Sequence, residues 1–243
     1  MISKISIIGT GNVANWYFQT LLRQNNNLIT VQQVSSRDFS KLLEDSDLYI
    51  FSLKDAVYPE VIANIPFQMK LAVHTAGALP ITIFQDKADH FGVLYPFQTI
   101  HCKDDSSFNP ELEVPICVEG DQEQTTQILM EFAATFSQKV YPINFEDRHT
   151  IHLAAVFASN FSTIMYDIAY KILQKKQIDW QIMLPLLEET VHKTNEKKPI
   201  DTLTGPAKRK DFKIIEEHLT ELKDTPYDSI YRLITDYIIR ETI

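Results

Sequence analysis

Glycine is scarce in this sequence, with 6 glycines among 243 residues, whereas average usage predicts about 17. This scarcity excludes collagen-like, linker-rich and low-complexity chains. A chain with so few glycines should place each one where the backbone requires it. They stand at positions 9, 11, 77, 92, 120 and 205, so two of them fall within three residues of each other near the N-terminus.

Cysteine and positive charge are also in short supply. The two cysteines, Cys102 and Cys117, provide neither a disulfide framework nor a zinc-binding spacing, which favours a reducing, cytoplasmic compartment. The net charge is −9, and an acidic chain lacks the cationic surface that binding to nucleic acid or to an anionic membrane requires. We therefore expect no nucleic-acid partner and no membrane partner.

Long hydrophobic runs are absent as well. The N-terminus lacks the apolar core and cleavage site of a signal peptide. The most apolar stretch, residues 151–166, includes His152, Ser159 and Asn160. It is too short and too polar to span a bilayer, so we predict a buried helix there.

Two patterns divide the chain. In the first part, β-type runs alternate with helical spacing, which is typical of an α/β fold with a parallel sheet. We predict strands at 4–8, 28–34, 48–53, 71–74, 93–98, 114–118 and 140–143, and helices at 12–24, 56–65 and 121–136, the last with Asp121 as N-cap. Only helical patterns follow, at 149–174, 180–193, 211–222 and 229–240. We therefore predict an α/β domain over 1–147 and an all-helical domain over 148–243.

A glycine motif follows the first predicted strand and precedes the first helix. Gly9 would allow the tight turn, Gly11 would let a pyrophosphate approach the backbone, and Ala14 would let the helix pack closely on the sheet. The pattern indicates a Rossmann dinucleotide-binding domain with a doubly wound parallel sheet; the alternative is an ordinary strand–turn–helix corner. The predicted cofactor contacts in this turn are Gly9, Thr10, Gly11, Asn12 and Val13.

The end of the second strand indicates which dinucleotide is bound. NAD-binding domains place an acid there for the ribose 2′-hydroxyl, but this chain has Ser35, Ser36 and Arg37. Two hydroxyls and a guanidinium suit a 2′-phosphate, so we predict NADP (as NADPH) as the cofactor. The alternative is a solvated loop arginine.

The ends of the next strands should face the cofactor too, because ligands of doubly wound sheets lie over the carboxyl ends of the strands. We expect Leu53, Thr75 and Gly77 to lie near the ribose and the nicotinamide. His74 is a candidate catalytic residue at the same edge, and its alternative is a structural histidine bonded to a neighbouring loop.

Several segments together resemble a known family: Rossmann-like, short-subunit dehydrogenases with a C-terminal domain of unknown function. It is related to pyrroline-5-carboxylate reductase, to deazaflavin-dependent NADP oxidoreductases and to the 6-phosphogluconate dehydrogenase superfamily. The segments are residues 9–14, Ser36-Arg37, 74–77, Tyr95-Pro96-Phe97-Gln98-Thr99, 152–160 and 204–211. Tyr95 stands where the family has a histidine.

The resemblance implies an all-α second domain of the 6-phosphogluconate dehydrogenase C-terminal type, through which the chain forms a homodimer. Whether a deazaflavin serves as a second cofactor stays open. One departure concerns the sheet, because the thirteen residues between Val34 and Leu48 are too few for a helix and a strand. We therefore expect the usual third strand to be missing.

Hydride transfer requires a proton donor and groups that hold the substrate. His152 and Asn160 lie on one predicted helix, about 12 Å apart along its axis, and could line an interdomain cleft with His74 and Tyr95. His152 is the predicted proton donor and Asn160 a predicted substrate or carboxamide contact. The alternative is a satisfied polar pair in a helical core.

The remaining substrate contacts come from the resembling segments: Tyr95, Gln98, Lys208 and Arg209. Lys208 and Arg209 belong to a locally basic stretch that would attract a small anionic substrate, or equally form a solvated loop before a helix capped by Asp211. A pair of acids near His192 lacks a third ligand, so we predict no metal site.

We therefore predict an NADP-dependent oxidoreductase that reduces a small carbonyl or imine compound. Two alternatives come from other classes: a catalytically silent NADP-binding sensor or assembly protein, and an S-adenosylmethionine methyltransferase. The missing acid at the end of the second strand disfavours the methyltransferase.

Overall fold

The computed structural model describes residues 2–24 and 29–241. The chain divides into two compact units, Met1–Val156 and Phe157–Ile243; the sequence predicted domains 1–147 and 148–243. The helix that begins at Phe145 falls in the first unit, where its Arg148 is bonded to residues of the α/β part.

The first unit is built on a seven-stranded sheet of order β2-β1-β3-β4-β5-β6-β7. Its neighbouring strands are parallel except for β5 and β6, which are antiparallel. The predicted α/β class is confirmed: a Rossmann-like, mostly parallel sheet followed by a helical region. The strands are β1 Lys4–Ile8, β2 Thr30–Val34, β3 Leu48–Phe51, β4 Met69–His74, β5 Ala88–Pro96, β6 Ile116–Gly120 and β7 Val140–Pro142.

Helices cover both faces of this sheet. Alternate residues along its strands belong to two hydrophobic clusters, one on each face, and each cluster also contains helix residues. Ile7 and Ile50 belong to one cluster, with residues of α1 and α3. Ile8 and Phe51 belong to the other, with residues of α2. This period of two is that of a strand buried on both faces. The helices of the first unit are α1 Asn12–Arg23, α2 Tyr58–Ala63, α3 Glu123–Ala134 and α4 Phe145–Ala155.

Three details of the sheet bear on the predictions. Residues 35–47 contain no strand, which confirms the missing third strand and leaves β2 at the edge. The β5–β6 connection holds one short 3₁₀ turn, Asp105–Ser107, and no crossover helix, so β6 returns antiparallel. The predicted N-cap Asp121 is wrong: Gln122 occupies the N-cap position of α3 without a side-chain capping bond, and the Asp121 carboxylate lies 3.3 Å from His90 Nδ1.

The second unit contains only helices within its described residues, as predicted. A π-helical segment, Val156–Phe161, follows α4. Asp211 caps α9, because its Oδ1 accepts the Ile214 N–H at 3.4 Å. No helix in the described parts of the chain is long and apolar enough to cross a membrane. The helices are α5 Ser162–Gln174, α6 Leu184–Thr194, α7 Pro199–Thr202, α8 Pro206–Arg209, α9 Phe212–Leu222 and α10 Tyr227–Glu241.

Candidate active site

The turn between β1 and α1 requires glycine at its first position. Gly9 has φ +133°, and a Cβ atom there would lie 2.2 Å from the Ser52 carbonyl oxygen. Its N–H donates to the Val34 carbonyl at 2.9 Å. Both the backbone conformation and the close approach of Ser52, which directly follows β3, therefore exclude a side chain at this position.

Gly11 differs, because the space beside it is open. It is the N-cap of α1, and a Cβ atom there would meet no heavy atom within 4 Å. No side chain of the described chain caps this helix, so the free N–H groups of its first turn remain available to an anion. Ala14 is fully buried against the sheet. The turn therefore has the open helix N-terminus that a pyrophosphate requires.

A cleft of about 730 Å³ lies over this turn. It brings together eight of the eleven predicted cofactor contacts: Gly9, Thr10, Gly11, Asn12, Val13, Ser36, Arg37 and Leu53. Ser35, Thr75 and Gly77 do not line it. The Ser35 hydroxyl accepts the Arg37 N–H at 3.2 Å, and Thr75 is buried with its N–H bonded to the Phe51 carbonyl.

The charged side chains that line the cleft are Arg37, Lys54 and Glu60. Arg37 and Lys54 are exposed and form no ion pair with the described residues. The cleft is thus locally cationic in an acidic protein. Lys54 was not among the predicted contacts, although a cation after a buried strand is a usable signal at this edge of a doubly wound sheet.

His74 is fully buried at the end of β4. Its ring lies among Tyr58 and Phe84, at centroid distances of 5.9 and 6.1 Å, and its Nδ1 accepts the Ala76 N–H at 3.2 Å. Burial, aided by the positive charge of Arg148, lowers the pKa of His74 to about 3. These contacts suit the alternative given above, a structural histidine bonded to a neighbouring loop, and a catalytic role for His74 stays a prediction.

Gly77, Tyr95 and His152 form a cluster within the first unit. The Tyr95 hydroxyl lies 3.2 Å from His152 Nδ1, and both side chains are half-buried. A Cβ atom on Gly77 would lie 2.8 Å from His152 Nδ1 and 3.1 Å from the Tyr95 ring. The absence of a side chain at Gly77 therefore lets His152 and Tyr95 meet. Burial raises the pKa of Tyr95, so its hydroxyl stays protonated near neutral pH.

Arg148 lies one helical turn before His152 on α4 and is fully buried. One guanidinium nitrogen donates to the Glu119 carboxylate, and another donates to the Leu79 carbonyl at 2.6 Å. Arg148 was not among the predicted site residues, because a lone arginine in a helix gives no local signal of burial.

The other predicted site residues do not join this cluster within the first unit. Gln98 is exposed, and its amide donates to the Glu113 carbonyl. Asn160, Lys208 and Arg209 belong to the second unit: Asn160 and Arg209 are exposed, and Lys208 is half-exposed. Their roles stay predictions. The described residues contain no group of three His, Cys, Asp or Glu side chains that could hold a metal ion.

A family model described as "Domain of unknown function (DUF2520)" matches residues 114–238, slightly more than half of the chain. The chain belongs to this family. A protein of Bacteroides fragilis that carries the provisional name NADP oxidoreductase is 32% identical, with 98% of each chain covered and a TM-score of 0.87. A comparison with curated proteins found no match.

More distant structures share the fold. A Thermotoga maritima protein is 20% identical, with 98% of this chain and 97% of that chain covered and a TM-score of 0.69. Plasmodium falciparum pyrroline carboxylate reductase, solved with NADP bound, is 12% identical, with 98% of each chain covered and a TM-score of 0.54. The DUF2520 match begins at residue 114, so it includes Arg148 and His152 but not the glycine turn.

Proposed function

We propose that this DUF2520 protein is an NADP-dependent oxidoreductase that reduces a small carbonyl or imine compound. The observation that carries the proposal is the open glycine turn, which faces a cleft lined by Arg37 and Lys54. The provisional name of the Bacteroides fragilis relative supports the same activity.

The residues of the cleft fit the cofactor. The N–H groups at the start of α1 and the positive end of its dipole would hold the pyrophosphate over Gly11. Ser36 and Arg37 would hold the 2′-phosphate, since a guanidinium binds phosphate through two parallel hydrogen bonds. Lys54 adds a second positive charge to the same cleft.

When bound, the reduced nicotinamide would supply the hydride. The protein must supply a proton and orient the substrate. His152 would deliver the proton, because histidine is the side chain that most often acts as a general acid in enzymes. The Tyr95 hydroxyl would hold the ring of His152 through the 3.2 Å contact at Nδ1, which leaves Nε2 for the substrate. His74, which is buried and neutral, would support the strand end and take no part in proton transfer.

Thermal-shift titration tests the cofactor. A ligand that binds only the folded state stabilises it by about 2.7 kcal/mol at a hundred times its Kd. We expect NADPH to raise the Tm at far lower concentration than NADH. Arg37→Ala should erase most of that difference, whereas Lys41→Ala, an exposed cation outside the cleft lining, should preserve it. Equal shifts by both cofactors in the unaltered protein would exclude the phosphate site, and no shift with either would exclude the cofactor.

Gly11→Ala separates binding from folding. A methyl group there meets no protein atom within 4 Å, so the variant should fold with a Tm close to that of the unaltered protein. It should nevertheless bind NADPH at least tenfold more weakly, because the methyl group occupies the space proposed for the pyrophosphate. Unchanged affinity would place the cofactor elsewhere.

Turnover tests the reaction. Oxidation of NADPH should be followed with a panel of small aldehydes, ketones and cyclic imines, with and without a carboxylate. His152→Gln should lower kcat by about 100-fold or more, as expected for loss of a general acid, while the Kd for NADPH stays unchanged. Binding of NADPH without turnover of any compound would favour the silent-sensor alternative.

A further inference from the structure

Arg148 is an unusual residue in this protein. It is the only Arg, Lys, Asp or Glu side chain that is fully buried among the described residues. Taking a charge out of water costs several kcal/mol, and a buried ion pair is frequently no more stable than apolar residues of the same volume. Stability alone therefore does not account for an arginine at this position.

The contacts of Arg148 reach two segments besides its own helix. One guanidinium nitrogen donates to the Glu119 carboxylate on β6, and another donates to the Leu79 carbonyl at 2.6 Å. The guanidinium carbon also lies 5.5 Å from the centre of the Phe145 ring on α4. Two directed hydrogen bonds from one planar group fix its orientation more tightly than a point charge would.

One of these segments carries a member of the Gly77–Tyr95–His152 cluster, and the other, β6, pairs with the strand that carries Tyr95. Leu79 lies two residues after Gly77 in the same loop. Glu119 is paired with Val93 on β5, two residues before Tyr95.

The helix itself supplies the third member of the cluster. His152 follows Arg148 by four residues on α4, and residues four apart lie on the same face of a helix, one above the other. One guanidinium thus connects the helix of His152 to the Gly77 loop directly, and to the strand of Tyr95 through its neighbour β6.

We propose that Arg148 is a positioning residue, which holds α4 against the sheet and the Gly77 loop so that His152 Nδ1 stays on the Tyr95 hydroxyl. The proposal rests on the proposed function for the role of His152. The hydrogen bond between His152 and Tyr95 can be measured without cofactor or substrate, so it is testable even if the enzyme activity is not found.

The test removes the whole ion pair. Arg148→Met alone would leave the partly buried Glu119 carboxylate unpaired and destabilise the fold. We therefore combine it with Glu119→Leu, because apolar replacement of both partners preserves stability; this double substitution is called the Met/Leu variant. A second variant, Arg148→Lys, keeps the charge but loses the planar fork. Each variant is made with and without Tyr95→Phe, and the ring nitrogens of ¹⁵N-labelled histidines are followed by NMR. The resonances that disappear in His152→Gln are assigned to His152.

In the unaltered protein, Tyr95→Phe should shift the His152 Nδ1 resonance, because it removes the hydrogen bond. In the folded Met/Leu variant and in Arg148→Lys, that Tyr95-dependent shift should be lost or reduced by more than half. An equal shift in all three backgrounds would overturn the proposal. This outcome is independent of NADPH turnover, so it is distinguishable from failure of the proposed function.

Kinetics give the second measurement. With a substrate from the panel, the Met/Leu variant should lose about 100-fold in kcat, the scale expected for a misplaced catalytic group, while the Kd for NADPH changes less than twofold. The control is an exposed ion pair, Lys139 and Glu113, whose charged atoms lie 3.1 Å apart. Lys139→Met with Glu113→Gln should change neither value. Unchanged kcat in the Met/Leu variant would overturn the positioning role.

Discussion

Acidification from pH 7 to pH 5 should destabilise the first unit through His74. The ring is fully buried beside Tyr58 and Phe84, and its unprotonated Nδ1 accepts the Ala76 N–H. Burial is the largest cause of its low pKa of about 3, and the positive charge of Arg148 lowers it further. The native state therefore keeps His74 neutral at any pH near physiological.

The size of the effect follows from proton linkage. The unfolded chain binds a proton at His74 below its ordinary pKa of about 6.5, whereas the native state does not bind one until pH about 3. Stability is therefore complete above pH 6.5 and is lost as the pH falls from 6.5 towards 3. Each pH unit in that window costs about 1.4 kcal/mol, so the loss between pH 7 and pH 5 is about 2 kcal/mol from this residue.

Urea denaturation at the two pH values measures this loss. His74→Asn should remove the titrating ring and keep an acceptor near the Ala76 N–H. The smaller side chain should lower stability at pH 7 by about 1–3 kcal/mol. The further loss at pH 5 should then be about 2 kcal/mol smaller than in the unaltered protein. His101→Asn, at an exposed histidine, is the control. If the His74 variant retains the full pH dependence of the unaltered protein, His74 is not the titrating group.

Two glycine substitutions should separate folding from activity. Gly9→Ala should destabilise the protein by more than about 2 kcal/mol in urea denaturation, because its methyl group would lie 2.2 Å from the Ser52 carbonyl oxygen at φ +133°; a loss below 0.5 kcal/mol would contradict the turn geometry. Gly77→Ala should fold, since its methyl group meets mainly the movable His152 and Tyr95 side chains. It should still lower kcat by tenfold or more, and unchanged turnover would remove His152 from the reaction.

The fold was predictable where the pattern is local. The run that forms β1 and the glycine turn that follows it fix the first strand and helix, and β1 and α1 begin at the predicted residues. The short interval between β2 and β3 correctly predicted that the additional strand usually found between them is missing. The antiparallel β6 was not predictable in this way, because a strand pattern carries no direction and only the lack of a crossover helix after β5 reveals it.

The candidate site divides in the same manner. The predicted cofactor contacts in the glycine turn and Arg37 line one cleft. They were predictable because the glycine motif specifies the backbone conformation of the turn, and because the ends of parallel strands meet at one edge of the sheet. The contact between Tyr95 and His152 joins residues 57 apart, and no pattern along the chain predicts it. Arg148 escaped notice, because its burial depends on Glu119 and Leu79, and no pattern around Arg148 indicates those partners.

Net charge and local charge give different information about this protein's ligands. The overall charge of −9 argues against a polyanion such as nucleic acid, because binding along a backbone requires many cations on one surface. A dinucleotide requires only a helix N-terminus and one or two cations at fixed points. Arg37 and Lys54 line the cleft against one carboxylate, Glu60, whereas the charge of Arg148 is already taken by Glu119. The composition therefore predicts against one class of anionic ligand, while Arg37 and Lys54 beside the helix N-terminus suit another. An acidic protein is compatible with a cofactor that carries an extra phosphate.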